Sequence, residues 1–214
     1  MLATDLFTLN SALGAMIEEQ VVSTLNSMRP VWDPNKEYQS FAFSRQPQTF
    51  PDVLLRKTTN SQQILLGIEL KGWYMLAKER VPNFRFVATP DACQPWDLIV
   101  VIPWVLSNVL SGTPAVYHPF IELAHFAALQ RNYYWQHERQ AQGDSTVILA
   151  TGIGPYPSKG DKISDRAVSD AGGNFGRLAR YAIMKDYVEG IMATELRGVP
   201  VKDWLAFFTK HAKE

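Results

Sequence analysis

A single cysteine, Cys93, stands in 214 residues. One thiol makes neither an internal disulfide nor a cysteine-rich zinc site, so covalent or metal staples of that kind are excluded. Long hydrophobic runs are also scarce. The longest, Leu98 to Leu106, falls far short of the roughly 20 apolar residues that cross a bilayer. The N-terminus carries Asp5 early and shows no basic leader or cleavage pattern, so a cytosolic protein without membrane attachment is expected. Neither sign of charge is in excess: 21 Lys and Arg balance 21 Asp and Glu. That balance weighs against a nucleic-acid partner, because phosphate binding is mostly electrostatic. Low-complexity segments and internal repeats are absent too. The four histidines, His118, His125, His137 and His211, form no HExxH. His125, Asn132 and His137 lack the frame of an HNH nuclease.

What is present is ordinary globular composition, 46% hydrophobic and 20% charged, enough for one domain over residues 1–214 with a sizeable core. The charge, balanced overall, is unevenly placed. Residues 41–85 hold seven Lys or Arg against three acids, residues 159–185 hold six against three, and the remaining segments are net negative. Two basic zones result, carrying Arg56 and Lys57 in the first and Lys159, Lys162, Arg166, Arg177 and Arg180 in the second. They are candidate DNA contacts; the commoner meaning of such an excess is a solvated face.

The most informative stretch runs from Phe50 to Lys71. Val53 to Leu55 and Ile64 to Ile68 are short apolar runs separated by Thr, Asn, Ser and Gln, which reads as strand, turn, strand. Asp52 and Glu69 lie eight residues either side of Asn60-Ser61. A hairpin turning there sets them opposite each other, with Cβ atoms roughly 4.5–5.5 Å apart. Alternation puts Glu69 and Lys71 on one face and Ile64, Leu66, Ile68 and Leu70 on the other. Two facing carboxylates resist ionising together unless a cation sits between them. Mg²⁺ resolves that conflict, being held by one or two carboxylates plus water and phosphate oxygens. A lysine beside it favours hydroxide or steadies charge on a phosphate, so the set points to metal-assisted phosphodiester hydrolysis. The competing reading is a solvated hairpin with a polar face.

Pro51-Asp52, sixteen intervening residues, then Glu69-Leu70-Lys71 at the end of an apolar strand resembles the PD-(D/E)xK motif of the restriction-endonuclease-like superfamily. The motif covers about a tenth of the chain and is short and degenerate. Glu69-Leu70-Lys71 is the one acidic-x-Lys triplet in the sequence, and the other Pro-Asp, Pro90-Asp91, has no such triplet after it. The resemblance implies that Asp52 and Glu69 bind Mg²⁺, with Mn²⁺ as a substitute and the Leu70 carbonyl as a further ligand. It also implies that Lys71 positions or activates water. Some relatives add an acidic residue from the first helix. Here that residue would be Glu18, at the margin of an apolar stripe, although a solvated role is the commoner one.

That first helix is expected over residues 5–28, where Leu6, Leu9, Leu13, Met16, Ile17, Val21, Leu25 and Met28 share a face. Residues 30–50 suggest a turn and a first strand. One or two helical turns are expected from Trp73 to Glu79, a strand at Phe84 to Val87, and a buried central strand from Trp96 to Trp104. Trp96 and Trp104 read as core or rim aromatics. A helix follows over 119–131, with Phe120, Leu123, Ala124, Ala127 and Ala128 inward. Then comes either a second hairpin over 133–149, its tip offering Arg139, Gln140 and Gln142 to base edges, or a continuation of the helix to Gln140. A long helix opened by Gly172-Gly173-Asn174 and running to about Leu196 would attract phosphate at its N-terminus, helped by Arg177 and Arg180. A last amphipathic helix contains Trp204, Leu205, Phe207 and Phe208. The glycines of 151–160 satisfy neither the Walker A nor the dinucleotide fingerprint, so no nucleotide cofactor is expected.

This order fits an α/β, three-layer sandwich with a mixed central sheet flanked by helices, and it fits the superfamily core. The resemblance implies a Mg²⁺-dependent endonuclease acting on double-stranded DNA, of the type II restriction kind and working as a homodimer. Repair and mobile-element nucleases share the motif. The alternative is a non-catalytic DNA-binding or assembly protein that keeps the fold with an idle site. A small-molecule enzyme built on the 146–160 loop ranks below both.

Overall fold

Alternating apolar segments pair into one open, mixed sheet of six strands in a computed structural model that describes residues 16–140 and 143–211. Phe41–Arg45 (β1), Val53–Lys57 (β2) and Ile64–Tyr74 (β3) form an antiparallel meander. β3 then runs parallel to Leu98–Leu106 (β4), whose far side is shared by the short antiparallel strands Pro114–Val116 (β5) and Phe120–Leu123 (β6). The chain is therefore α/β with a mixed sheet.

Helical residues 16–27 (α1) cover one face. Val21, Val22 and Leu25 pack on Phe43, Val53, Leu55, Ile68 and Leu70, the alternate side chains of β1 to β3. Leu6, Leu9 and Leu13 of the expected stripe lie outside the described residues. Arg29–Trp32 (α2) follows, and together α1 and α2 close the outer edge of β1. The Asn26 amide donates to the Phe43 carbonyl and accepts from the Phe43 N–H, both at 2.9 Å, and Arg29 bonds the carbonyls of Tyr38 and Phe41. The opposite face of the sheet carries the larger core. Phe50, Trp73, Ile99, Val101 and Trp104 meet Ala124–Tyr133 (α3), Lys185–Ala193 (α5) and Val201–His211 (α6) there through Ala127, Ala128, Ile191 and Leu205.

Several expected elements differ. β3 continues through Trp73 to Tyr74 where helical turns were expected, because parallel pairing with β4 extends to Trp104. Phe84 to Val87 is extended but lies outside the sheet, its amides and carbonyls spent on Gly176 and Asp165. The helix expected from 119 starts at Ala124, and Phe120 and Leu123 instead pair with β4 as β6, leaving Leu123 38% exposed. Among the described residues of 133–149 no hairpin forms. The helix widens into a π turn, Tyr134–Glu138, with Trp135 edge-on to Phe175 at 5.2 Å. Gln142 lies outside the described residues. The long helix from 174 to 196 shrinks to α5, preceded by 3₁₀ turns. Gly172, Gly173 and Gly176 adopt positive φ, and the Gly176 carbonyl is drawn to the Phe86 N–H, so the backbone there is committed elsewhere.

A buried ion pair organises this irregular half. Arg131, fully buried on α3, donates to the carbonyls of Phe86 and Ala88 at 2.9 Å, to Asn132 Oδ1, and to Asp165 Oδ2. Asn132 also donates to Asp165 Oδ2, and the second Asp165 oxygen accepts the Ala150 N–H at 3.0 Å. Burial pulls the guanidinium down to about 10, with Asp165 opposing the fall, so it stays charged at neutral pH. The guanidinium also lies over the Phe175 ring, 5.0 Å from its centroid. Removing one member strands the other charge without water, so Asp165→Ala is expected to cost about 3–5 kcal/mol. The double exchange Arg131→Met with Asp165→Leu should recover much of that loss. Urea unfolding midpoints check both; a loss below about 1 kcal/mol for Asp165→Ala would contradict the network's role.

Candidate active site

The β2–β3 ladder sets the site. Val53 pairs with Ile68, Leu54 with Gly67 and Leu55 with Leu66, so Asp52, one residue before β2, continues the same register to Glu69. Asp52 Oδ2 accepts the Leu70 N–H at 2.8 Å, which brings the carboxylate directly against β3. The symmetry about Asn60-Ser61 holds at this end only. Beyond Leu55 a bulge at Leu65 shifts the pairing to Arg56 with Ile64, leaving Leu65 38% exposed.

Glu69 is buried, and its Oε1 accepts from the Lys71 ammonium at 2.5 Å along the same strand face. Burial, then the nearby Glu69 charge, pushes the Asp52 carboxyl up to about 7, with Lys71 and the Leu70 N–H pulling the other way. Burial pulls the Lys71 ammonium down, but Glu69 and Asp52 outweigh it and hold the group above its ordinary value. Lys71 is thus a cation here. Glu18, on α1, adds to the upward push on both Asp52 and Lys71, so it stands within electrostatic reach. Its Oε2 is ion-paired with Arg45 Nε at 2.5 Å, and Glu18 is not among the residues lining the cleft.

Asp52, Glu69 and Lys71 line a cleft of about 320 Å³ whose other walls come from Gln48 to Phe50, Arg85 to Ala88 and the turn Gly160, Ile163 and Ser164. That turn belongs to the short helix Gly160–Ile163 (α4). Two contacts hold it over the hairpin. Phe50 and Ser158 exchange backbone hydrogen bonds at 2.8 and 3.0 Å, and Tyr156 donates to Asp97 Oδ1, which also accepts the Gly67 N–H. Gly67 has no room for a side chain. A Cβ there would stand 2.1 Å from the Tyr156 hydroxyl and 2.3 Å from Pro51.

The candidate DNA contacts divide. Lys159 and Lys162 are exposed, the first immediately before α4 and the second within it; neither lines the cleft, although Gly160, Ile163 and Ser164 of the same turn do. Arg56 is on β2 beyond Leu54, its guanidinium near Gln46, and Lys57 ends that strand. Arg166 is exposed in a two-residue strand with Ala167. Arg177 and Arg180 do not flank a helix N-terminus, because the helix expected to begin at Asn174 does not form there. Arg180 lines a separate cavity of about 220 Å³ with Tyr134, Trp135 and Arg139, and bonds Asn174. Trp104 is core and Trp96 is 70% exposed at a rim.

Sequence reading passed over Arg85, Thr49 and the Asp97–Tyr156 contact. Arg85 carried a usable signal, a cation inside the apolar run from Phe84 to Val87. The Tyr156 and Asp97 contact carried none, since 59 residues separate the two. No match is found for this chain among protein-family models, characterised proteins or solved structures.

The donor set suits a hard divalent ion. Asp52 and Glu69 supply carboxylate oxygens, and the Leu70 carbonyl leaves β3 on the same side as the N–H that reaches Asp52. Among the described residues no group of three or more His, Cys, Asp and Glu gathers as a metal cage. An ion here would complete its shell with water and phosphate. A raised Asp52 means that the folded, metal-free chain holds a proton which the unfolded chain releases near pH 4. Its stability should therefore fall as pH rises from about 4 to 7, by about 1–3 kcal/mol through this group after allowance for partial exposure. Asp52→Asn should flatten that decline, and Mg²⁺ should raise the melting temperature of the wild type alone above pH 7. Calorimetry in EDTA and in Mg²⁺ reads both; a wild-type slope equal to that of Asp52→Asn would refute it.

Proposed function

We propose that this chain is a Mg²⁺-dependent endonuclease of the PD-(D/E)xK, restriction-endonuclease-like type, hydrolysing phosphodiester bonds of duplex DNA as a homodimeric type II restriction enzyme. The observation that carries the reading is the pairing of Asp52 with Glu69 across β2 and β3, with Lys71 on the same face, in one open cleft. The mixed sheet with its antiparallel meander and parallel fourth strand is compatible with that superfamily.

Asp52 and Glu69 would hold the ion, with the Leu70 carbonyl beside them. A bound Mg²⁺ supplies a more acidic water and neutralises charge on a phosphate oxygen. Lys71, kept as an ammonium by its two carboxylate neighbours, contributes positive charge toward the phosphate and a donor to the attacking water. The exposed Lys159 and Lys162, next in sequence to the cleft-lining Gly160 and Ile163, would contact the backbone of DNA entering the cleft. Among the described residues no helix is long and apolar enough to cross a membrane.

One observation favours the idle-site binder as a second reading: Lys71 already neutralises Glu69 at 2.5 Å, a pairing that a non-catalytic site could keep indefinitely. Cleavage separates the two. The purified protein should cut random-sequence duplex DNA in Mg²⁺ or Mn²⁺ and not in Ca²⁺ or EDTA. Glu69→Ala should lose at least about 100-fold in cleavage while duplex affinity in Ca²⁺ changes little. Salt-sensitive binding without cleavage in either activating metal would establish the binder instead, and cleavage by Glu69→Ala at the wild-type rate would remove Glu69 from the site.

A further inference from the structure

The cleft contains a second cation with no part in the Asp52, Glu69 and Lys71 motif. Arg85 is held by two of its three nitrogens: Nε donates to the Phe175 carbonyl at 2.6 Å and Nη2 to Asp170 Oδ2 at 2.9 Å. Nη1 makes no hydrogen bond to any described residue. Asp170 is itself fixed, its other oxygen accepting the backbone N–H groups of Asn174 and Phe175. The guanidinium is therefore fixed by the 170–175 loop, with Nη1 3.9 Å from where a Cβ on Gly173 would stand, and a ligand that meets Nη1 orders it at low further entropic cost. A second feature of the same cleft is the Thr49 hydroxyl, a buried oxygen with no hydrogen-bond partner, immediately before Phe50. A buried hydroxyl left unpaired costs stability unless something in the cleft pairs with it.

Of the residues lining the cleft, only Lys71 and Arg85 are cationic, and Lys71 is engaged by Glu69. We propose that Arg85 and Thr49 form a phosphate-holding subsite in this cleft, with Arg85 Nη1 and the Thr49 hydroxyl donating to non-bridging oxygens of a nucleic-acid phosphodiester. The identity of that phosphate as the one hydrolysed rests on the nuclease reading above. Guanidinium is suited to the task by its fixed charge and planar donors. As negative charge builds on the phosphoryl oxygens, a cation already fixed in place gains more than one that must first be ordered. Arg85 touches the substrate in this arrangement. Asp170 acts through it and is a positioning residue.

Arg85→Gln, Asp170→Asn and Thr49→Val test the subsite, with folding checked by circular dichroism. Two readouts are needed: cleavage of random-sequence duplex in Mg²⁺, and the salt dependence of duplex binding in Ca²⁺. Arg85→Gln should lower kcat by about 100-fold with the Mg²⁺ concentration for half-maximal cleavage unchanged. It should also reduce the slope of log affinity against log salt by about one. Asp170→Asn keeps the guanidinium, so its salt slope should stay at the wild-type value while kcat falls by a smaller factor. If Arg85→Gln does not fold, Thr49→Val decides, and wild-type kcat in that variant would overturn the proposal. Cleavage within threefold of wild type and an unchanged slope in folded Arg85→Gln would overturn the subsite and leave the nuclease reading standing. A wild type that binds without cutting, while Arg85→Gln still loses slope, would overturn hydrolysis and keep the subsite. A wild type that neither binds nor cuts overturns both.

Discussion

Asp52 sits against Glu69 because the backbone gives it no alternative. The Val53 to Ile68 register places them side by side, and the Leu70 N–H fastens the Asp52 carboxylate to β3. A carboxylate pair in a part-buried cleft is electrostatically unfavourable, and its mark is the upward push on Asp52. The surrounding fold has to be rigid enough to hold that arrangement. Gly67 contributes directly, since its missing side chain lets Pro51, Tyr156 and Asp97 close around β3 only two residues from Glu69.

The other wall of the cleft is built without regular secondary structure. The chain crosses from β3 to β4 through residues 75–97 with no more helix than the 3₁₀ turn Pro90–Ala92. A crossover between parallel strands more often uses a helix. The buried Arg131 replaces what a helix would supply, giving the Phe86 and Ala88 carbonyls a fixed donor and tying them to Asp165. Phe86, Val87 and Ala88 on one side of that tie, and Ile163 and Ser164 on the other, all line the cleft. The charge that stabilises this half of the molecule therefore also sets the spacing of the walls.

The parts legible in the sequence were those governed by local pattern. Short apolar runs at Val53 to Leu55 and Ile64 to Ile68, split by a polar turn, marked the hairpin, and the continuous apolar run from Leu98 marked the central strand, because both signals are confined to a few neighbouring residues. The bulge at Leu65 left no trace in that pattern. Elsewhere tertiary contacts overrode the local signal. Residues 174–184 have helical composition after the glycines, but Gly176 at φ 89° and its bond to Phe86 divert the chain. Arg131 lies at helical spacing from Ala127 and Ala128, the inward positions of α3, and a charge at such a position reads as surface until Asp165 is known to lie beside it. Arg85 stood out as a cation within an apolar run, but that it and Thr49 line the cleft follows from the path of segments outside the sheet, which no periodicity encodes.

The Asn26 amide and Arg29 bear on how the sheet ends. An outer strand with free amides invites another chain to add itself as the next strand. On β1 that invitation is withdrawn, because Asn26 offers the Phe43 N–H and carbonyl a side-chain copy of a strand's hydrogen bonds and Arg29 occupies the carbonyls of Tyr38 and Phe41. At the other edge β5 is only three residues long and begins with Pro114, which has no N–H to offer. Self-association by continuing the sheet through β1 would first have to break the Asn26 and Arg29 contacts. An assembly at the β1 edge that leaves them intact must therefore join through side chains, and amyloid-like stacking at this edge is disfavoured from the outset.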